Sequence, residues 1–135
     1  MTVEIAEARA QAQPERIAHT EAKGRVFKVL DLAASKTRQS CIVLPSGATV
    51  RVDAQTAYAP DAVVYCGAKL DGDATEVPTP VIVVEVLSAS TQHIDINEKL
   101  AGYFRIPSVA HYLIINPGKA PIIHHQCQAD GSILT

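Results

Sequence analysis

The stretch VIVVEVL at 81–87 constrains this chain more than any other. Its β-branched residues run on without polar alternation, the pattern of a strand buried on both faces and therefore central in a sheet. Glu85 interrupts that run. An isolated buried carboxylate costs several kcal/mol, or its pKa rises until it is neutral. Glu85 must be paired with a base, protonated, or bound to a cation.

Neighbouring segments supply the rest of such a sheet. AVVYC at 62–66, Ser40 to Leu44, His111 to Ile115 and Ile122 to His125 read as further strands. The turn PSG at 45–47 predicts a hairpin returning along Thr49 to Val52, and NPGKAP at 116–121 joins the last two strands. Pro14 to Ala34 has helical spacing, with Ala18, Ala22, Val26, Val29, Leu30 and Ala33 on one apolar stripe. Asp95 to Phe104 reads as a second helix, with Ile96, Leu100, Tyr103 and Phe104 on its stripe and Pro107 ending it. Residues 67–80 read as loop, and residues 1–13 as a weak strand or a frayed end. The order of helix, strands, helix, strands predicts an α/β fold with a mixed central β-sheet flanked by helices.

At 135 residues the chain has the length of a single domain, 1–135. Its 47% hydrophobic and 19% charged residues exclude a disordered chain. No purely apolar run, Val81 to Val84 included, approaches the roughly 20 residues of a membrane span. MTVEIAEARA lacks the order of a secretory signal. The expectation is a cytoplasmic protein with no membrane partner. Cys41, Cys66 and Cys127 are an odd number that fits no complete disulfide set, and Cys41 and Cys66 read as small buried hydrophobes. Trp is absent and aromatics are 4%, so stacking platforms for single strands are scarce. The net charge of −2 hides an asymmetry: residues 9–38 hold seven bases against three acids, and residues 39–135 five bases against nine acids. The first helix therefore either touches phosphate, through Lys23, Arg25 and Lys28, or presents a solvated face.

Asp61 is the second carboxylate out of place, opening the apolar strand AVVYC after Pro60. If the two strands are neighbours, Asp61 and Glu85 lie at one end of the sheet. Two carboxylates completed by water and carbonyl oxygens suit Mg2+ or Mn2+. The plainer alternative has Asp61 capping a turn and Glu85 pairing with a base. Lys99, on the helix after the Glu85 strand, can point back over the strand end or pair with Asp95 at i, i+4, and the two are compatible. His124 and His125 are adjacent on a strand, point to opposite faces and cannot chelate one ion there. His93 and His111 have no chelating spacing.

YAPDAVVYCG (58–67) and VPTPVIVVEVLSASTQHIDINEKLAGYFRIPSVAHYLIINP (77–117) together resemble the bacterial Uma-type family of restriction-endonuclease-like proteins, in the PD-(D/E)XK nuclease superfamily. PERIAHTEAKGRVFKVL (14–30) is similar to the family's helix before the core. The resemblance implies a restriction-endonuclease-like fold and metal-dependent hydrolysis of nucleic acid, DNA in the first instance. Asp61 matches the Asp of PD and Glu85 the Glu of EVLS, both metal ligands. The position two residues after that Glu, Lys in the superfamily, is Leu87 here, and Lys99 matches the lysine that relatives take from the next helix. Asp95 matches the acid four residues before that lysine. A histidine recurs in the family where His19 stands, which leaves a substrate contact or a solvated helix residue. The extra N-terminal acid matches Glu4, Glu7 or Glu21, with no choice among them. Shortened ends predict an exposed sheet edge and hence a homodimer or larger homo-oligomer. They also favour a rival of another class, a catalytically inactive interaction module with no affinity for divalent metal.

Overall fold

The β-branched runs bounded by turn residues all fold as strands in the computed structural model, which describes residues 15–88, 96–118 and 122–135. Two helices, α1 (Ile17–Ser35) and α2 (Ile96–Phe104), accompany eight strands among these residues: β1 (Cys41–Pro45), β2 (Val50–Asp53), β3 (Thr56–Tyr58), β4 (Ala62–Cys66), β5 (Pro80–Val86), β6 (His111–Ile115), β7 (Ile122–Cys127) and β8 (Ile133–Leu134). Six strands form one sheet in the order β1-β4-β5-β6-β7-β8. Only β5 and β6 are parallel, so the sheet is mixed as expected. Parallel neighbours need a long crossover, and α2 lies on it. VIVVEVL is central, with β4 on one side and β6 on the other.

Strand alternation divides the sheet into two faces. Val63, Tyr65, Val83, Tyr112 and Ile114 point into the main core, which Tyr103 and Ile106 close from the α2 side. The opposite face carries Leu113 and Ile115 beneath α1. No α1 residue is fully buried. Ala18 and Ala22 leave the helix short of the sheet, and a groove of about 410 Å³ runs between its stripe and Leu113, Ile115 and Ile122. Of the predicted apolar stripe, Ala22, Val26 and Leu30 are half-buried towards the sheet, whereas Ala18, Val29 and Ala33 are exposed, Val29 to 65%.

Three local expectations are corrected. The segment after PSG does not return along β1. β2 pairs with β3 in a separate two-stranded sheet, and β4 takes the place beside β1. Gly47, at φ 127°, turns the chain away from β1, and fully buried Val50 makes the small sheet a cover for the core. The Asp53 carboxylate accepts the Gln55 N–H at 2.8 Å and makes a tight β2–β3 turn. The three-residue β3 was too short to be read from its pattern, as was β8. Finally, Cys41 and Cys66 are not separate thiols. They stand in register across β1 and β4 and form a disulfide, leaving Cys127 as the free cysteine. Residues 1–14 and Asp95, with the expectations for Glu4, Glu7 and an Asp95–Lys99 pair, lie outside the described residues.

Candidate active site

Continuing the β4–β5 register by one step from Ala62↔Val84 puts Asp61 opposite Glu85. Directly opposed residues share a face, with Cβ atoms about 5 Å apart. The Asp61 backbone N–H donates to the Val84 carbonyl at 2.8 Å, and its Oδ2 accepts the Val86 N–H at 2.7 Å. The Asp61 side chain is thereby held against the peptide that follows Glu85.

Glu85 is 7% exposed. Its Oε2 accepts two hydrogen bonds from α2, from Tyr103 Oη at 2.6 Å and from Lys99 Nζ at 3.2 Å. Lys99 and Tyr103 are i, i+4 neighbours, so one helical face delivers both. Burial pushes the Glu85 carboxyl above its usual range; the Tyr103 hydroxyl and the Lys99 ammonium pull it down, and the Asp61 charge adds to the rise. Burial, and then the Glu85 charge beside it, hold the Tyr103 phenol far above its ordinary value, so it stays a donor at every working pH. One oxygen of each carboxylate, Asp61 Oδ1 and Glu85 Oε1, makes no hydrogen bond among the described residues.

An aromatic row stiffens this corner. Tyr103 meets Tyr58 edge-on at 5.2 Å and Tyr112 at 5.0 Å between ring centroids. Lys99 Nζ lies 5.6 Å from the centre of the Tyr58 ring. A Cβ added at Gly102 would come within 2.9 Å of the Tyr58 ring, so glycine at 102 lets α2 approach this closely. We expect Tyr103→Phe to cost about 2 kcal/mol, since a buried carboxylate loses a short hydrogen bond. The variant raises the Glu85 pKa further. The deficit should therefore grow as pH rises through the carboxyl's titration and shrink in acid. Urea unfolding across that range checks both; equal stability at neutral pH would remove Tyr103 from the site.

The helix α1 touches the same strand from the other face. The His19 Nε2–H donates to the Val86 carbonyl at 2.8 Å, so Val86 is held by Asp61 on its N–H and by His19 on its carbonyl. His19 Nδ1 stands 3.3 Å from Glu15 Oε2, an ion-pair distance without hydrogen-bond alignment. Glu21 is on the groove lining and pairs with Arg25 at 3.4 Å. Lys23 is engaged at 2.6 Å by Glu15, whose carboxyl the Lys23 and Thr20 hydrogen bonds hold down at about 2. Lys28 is exposed.

Of the plainer readings, the one for Glu85 is present, since it pairs with a base; Asp61 caps no turn here but accepts the Val86 N–H of the neighbouring strand. Asp61, Glu85 and Lys99 nonetheless converge on one strand end. Tyr103 was the residue missed, being read as part of an apolar stripe; its spacing from Lys99 was the available signal. Among the described residues, no three or more His, Cys, Asp or Glu gather as a metal-binding group. No helix among them is long and apolar enough to cross a membrane.

The family model Uma2, "Putative restriction endonuclease", matches residues 2–134, and no curated protein matches the chain. The chain belongs to the Uma2 family, and its mixed six-stranded sheet with two helices has the restriction-endonuclease-like arrangement.

Proposed function

We propose that this Uma2-family chain is a metal-dependent endonuclease that hydrolyses phosphodiester bonds of nucleic acid, DNA in the first instance. The observation that carries the reading is the convergence of Asp61, Glu85 and Lys99 at the end of β5. Asp61 and Glu85 would hold Mg2+ or Mn2+, for which hard carboxylate oxygens are the fitting donors. The donor set fits: each carboxylate keeps an oxygen with no hydrogen bond among the described residues, and the burial that raises the Glu85 carboxyl, to which the Asp61 charge adds, is what a divalent cation offsets. When bound, such an ion polarises a phosphoryl oxygen and acidifies a coordinated water.

The chain's own residues do the rest. Lys99 presents its ammonium beside Glu85, where it orients the attacking water or stabilises charge on the phosphate. Tyr103 fixes the Glu85 carboxylate, and Asp61 and His19 fix the Val86 peptide between them. Lys28 is the base on α1 best placed to track phosphate, because Lys23 and Arg25 already serve Glu15 and Glu21. Binding should weaken as salt rises, since each phosphate neutralised releases counterions. Self-association would use the β8 edge, where Ile133 and Leu134 are exposed.

The test is cleavage of supercoiled DNA and of RNA with Mg2+ or Mn2+, alongside calorimetric Mn2+ titration. Lys99→Met should lower cleavage about 100-fold or more while leaving Mn2+ binding in place. Asp61→Asn should weaken both. Cleavage that survives both substitutions would end this reading. One observation favours the inactive interaction module: Leu87 occupies the in-strand lysine position and packs against the core. That module predicts no Mn2+ binding in the unsubstituted chain.

A further inference from the structure

His111 and His124 are far apart in sequence and meet across β6 and β7. The register pairs Leu113 with His124 and His111 with Gln126, so the two histidines are diagonal neighbours. Both project from the α1 face, the one that carries Leu113. His111 Nδ1 and His124 Nε2 lie 2.9 Å apart, with ring centroids 5.1 Å apart and planes inclined by 35°. His125 points the other way, stacking on Tyr112 and bonding Thr135 at 2.8 Å, so it is not a third member of the cluster.

We propose that His111 Nδ1 and His124 Nε2 form a two-histidine site for a borderline transition-metal dication, copper(II) or nickel(II), separate from the carboxylates. Two nitrogens at about 2.0–2.1 Å from one ion and at right angles stand about 2.9 Å from each other. The metal-free pair already has that spacing. Imidazole suits these ions and not Mg2+, which demands oxygen. Burial, and then the neighbouring His124, lower the His111 pKa, which keeps that ring in the neutral form a metal needs. Each ring must present a lone pair to the ion. The ring that donates in the metal-free pair therefore passes its proton, by exchange with water, to its own outer nitrogen, and none is released when both rings are neutral. Water completes the coordination, since the described residues offer two protein ligands there. The bound ion clips β7 to β6.

The experiment is calorimetric titration with NiCl2 and CuCl2 of the full chain carrying Glu85→Gln, alone and with His124→Gln or His111→Gln added. On the Glu85→Gln background, which removes any ion held by the carboxylates, one nickel ion should bind per chain, with copper binding tighter, as the ordering of these ions requires. Adding either histidine substitution to that background should weaken nickel binding at least tenfold. A saturating ion should also raise the melting temperature of Glu85→Gln and not that of Glu85→Gln with His124→Gln. His124 is exposed, so that variant is expected to fold; His111→Gln repeats the test from the other strand. Nickel binding that survives both histidine substitutions on the Glu85→Gln background, or is lost altogether in Glu85→Gln alone, overturns the proposal. Failure of the nuclease reading would leave these outcomes untouched.

Discussion

Glu85→Gln should lower metal-dependent cleavage about 1000-fold without lowering stability at neutral pH. A carboxylate offered to a dication becomes a neutral amide, and the charge that would hold the metal is gone. Stability follows from the sign of the pKa shift. Burial places the folded-state pKa of Glu85 above that of the unfolded chain. The native protein then keeps a proton that the unfolded chain releases, so this carboxyl destabilises progressively as pH rises through the unfolded value towards the folded one. Glutamine does not titrate. Its amide oxygen still accepts the Tyr103 hydroxyl, and Lys99, a quarter exposed, can turn to solvent. The variant should be at least as stable as the parent at pH 7 and should lose the part of the pH slope that Glu85 supplies. Cleavage assays beside urea unfolding at several pH values separate the two effects. A variant that unfolds would show that Glu85 serves the fold. A folded variant that still cleaves would show that the carboxylate does not serve the chemistry.

That separation explains how the site could be read before the fold was known. Glu85 stood out because a carboxylate inside VIVVEVL has no free-energy rationale as packing. Asp61 stood out for the same reason, and Lys99 followed from the helical spacing of Asp95 to Phe104 after that strand and from the family resemblance. The strands β4 and β6 carried their full signal in a few β-branched residues between turns. What escaped depended on register. Tyr103 looks apolar until α2 is laid over Glu85. His111 and His124 pair only because β6 and β7 run antiparallel with Leu113 opposite His124. The β2–β3 cover was lost for a related reason: β3 has three residues, too few to show alternation. His19 reads as a helix-surface residue, and its bond to the Val86 carbonyl depends on how α1 crosses the sheet.

The Cys41–Cys66 bridge is the clearest case of register deciding chemistry, and its removal should have the largest effect on stability. β1 is an edge strand, with β4 as its neighbour in the sheet. The disulfide ties the first residue of β1 to the last of β4, 25 residues on. Closing a loop of that size restricts the unfolded chain enough to contribute about 3 kcal/mol. For a chain of this length, such a loss lowers the melting temperature by about 10 °C. Reduction, or the double substitution of Cys41 and Cys66 by serine, should give that drop, and α1, which packs on β1, should loosen with the strand. Thiol titration of the denatured, unreduced chain should find one thiol, Cys127, and three after reduction. Three thiols before reduction would show that the pair is open. The result also bears on compartment. A reducing cytosol keeps such pairs as thiols, so the expectation of a cytoplasmic protein and the bridged edge belong to different redox states of one chain. In the reduced state β1 holds by its ladder to β4 and by the packing of Ile42, Val43 and Leu44, and the hydrogen exchange of β1 amides should report which state a given environment selects.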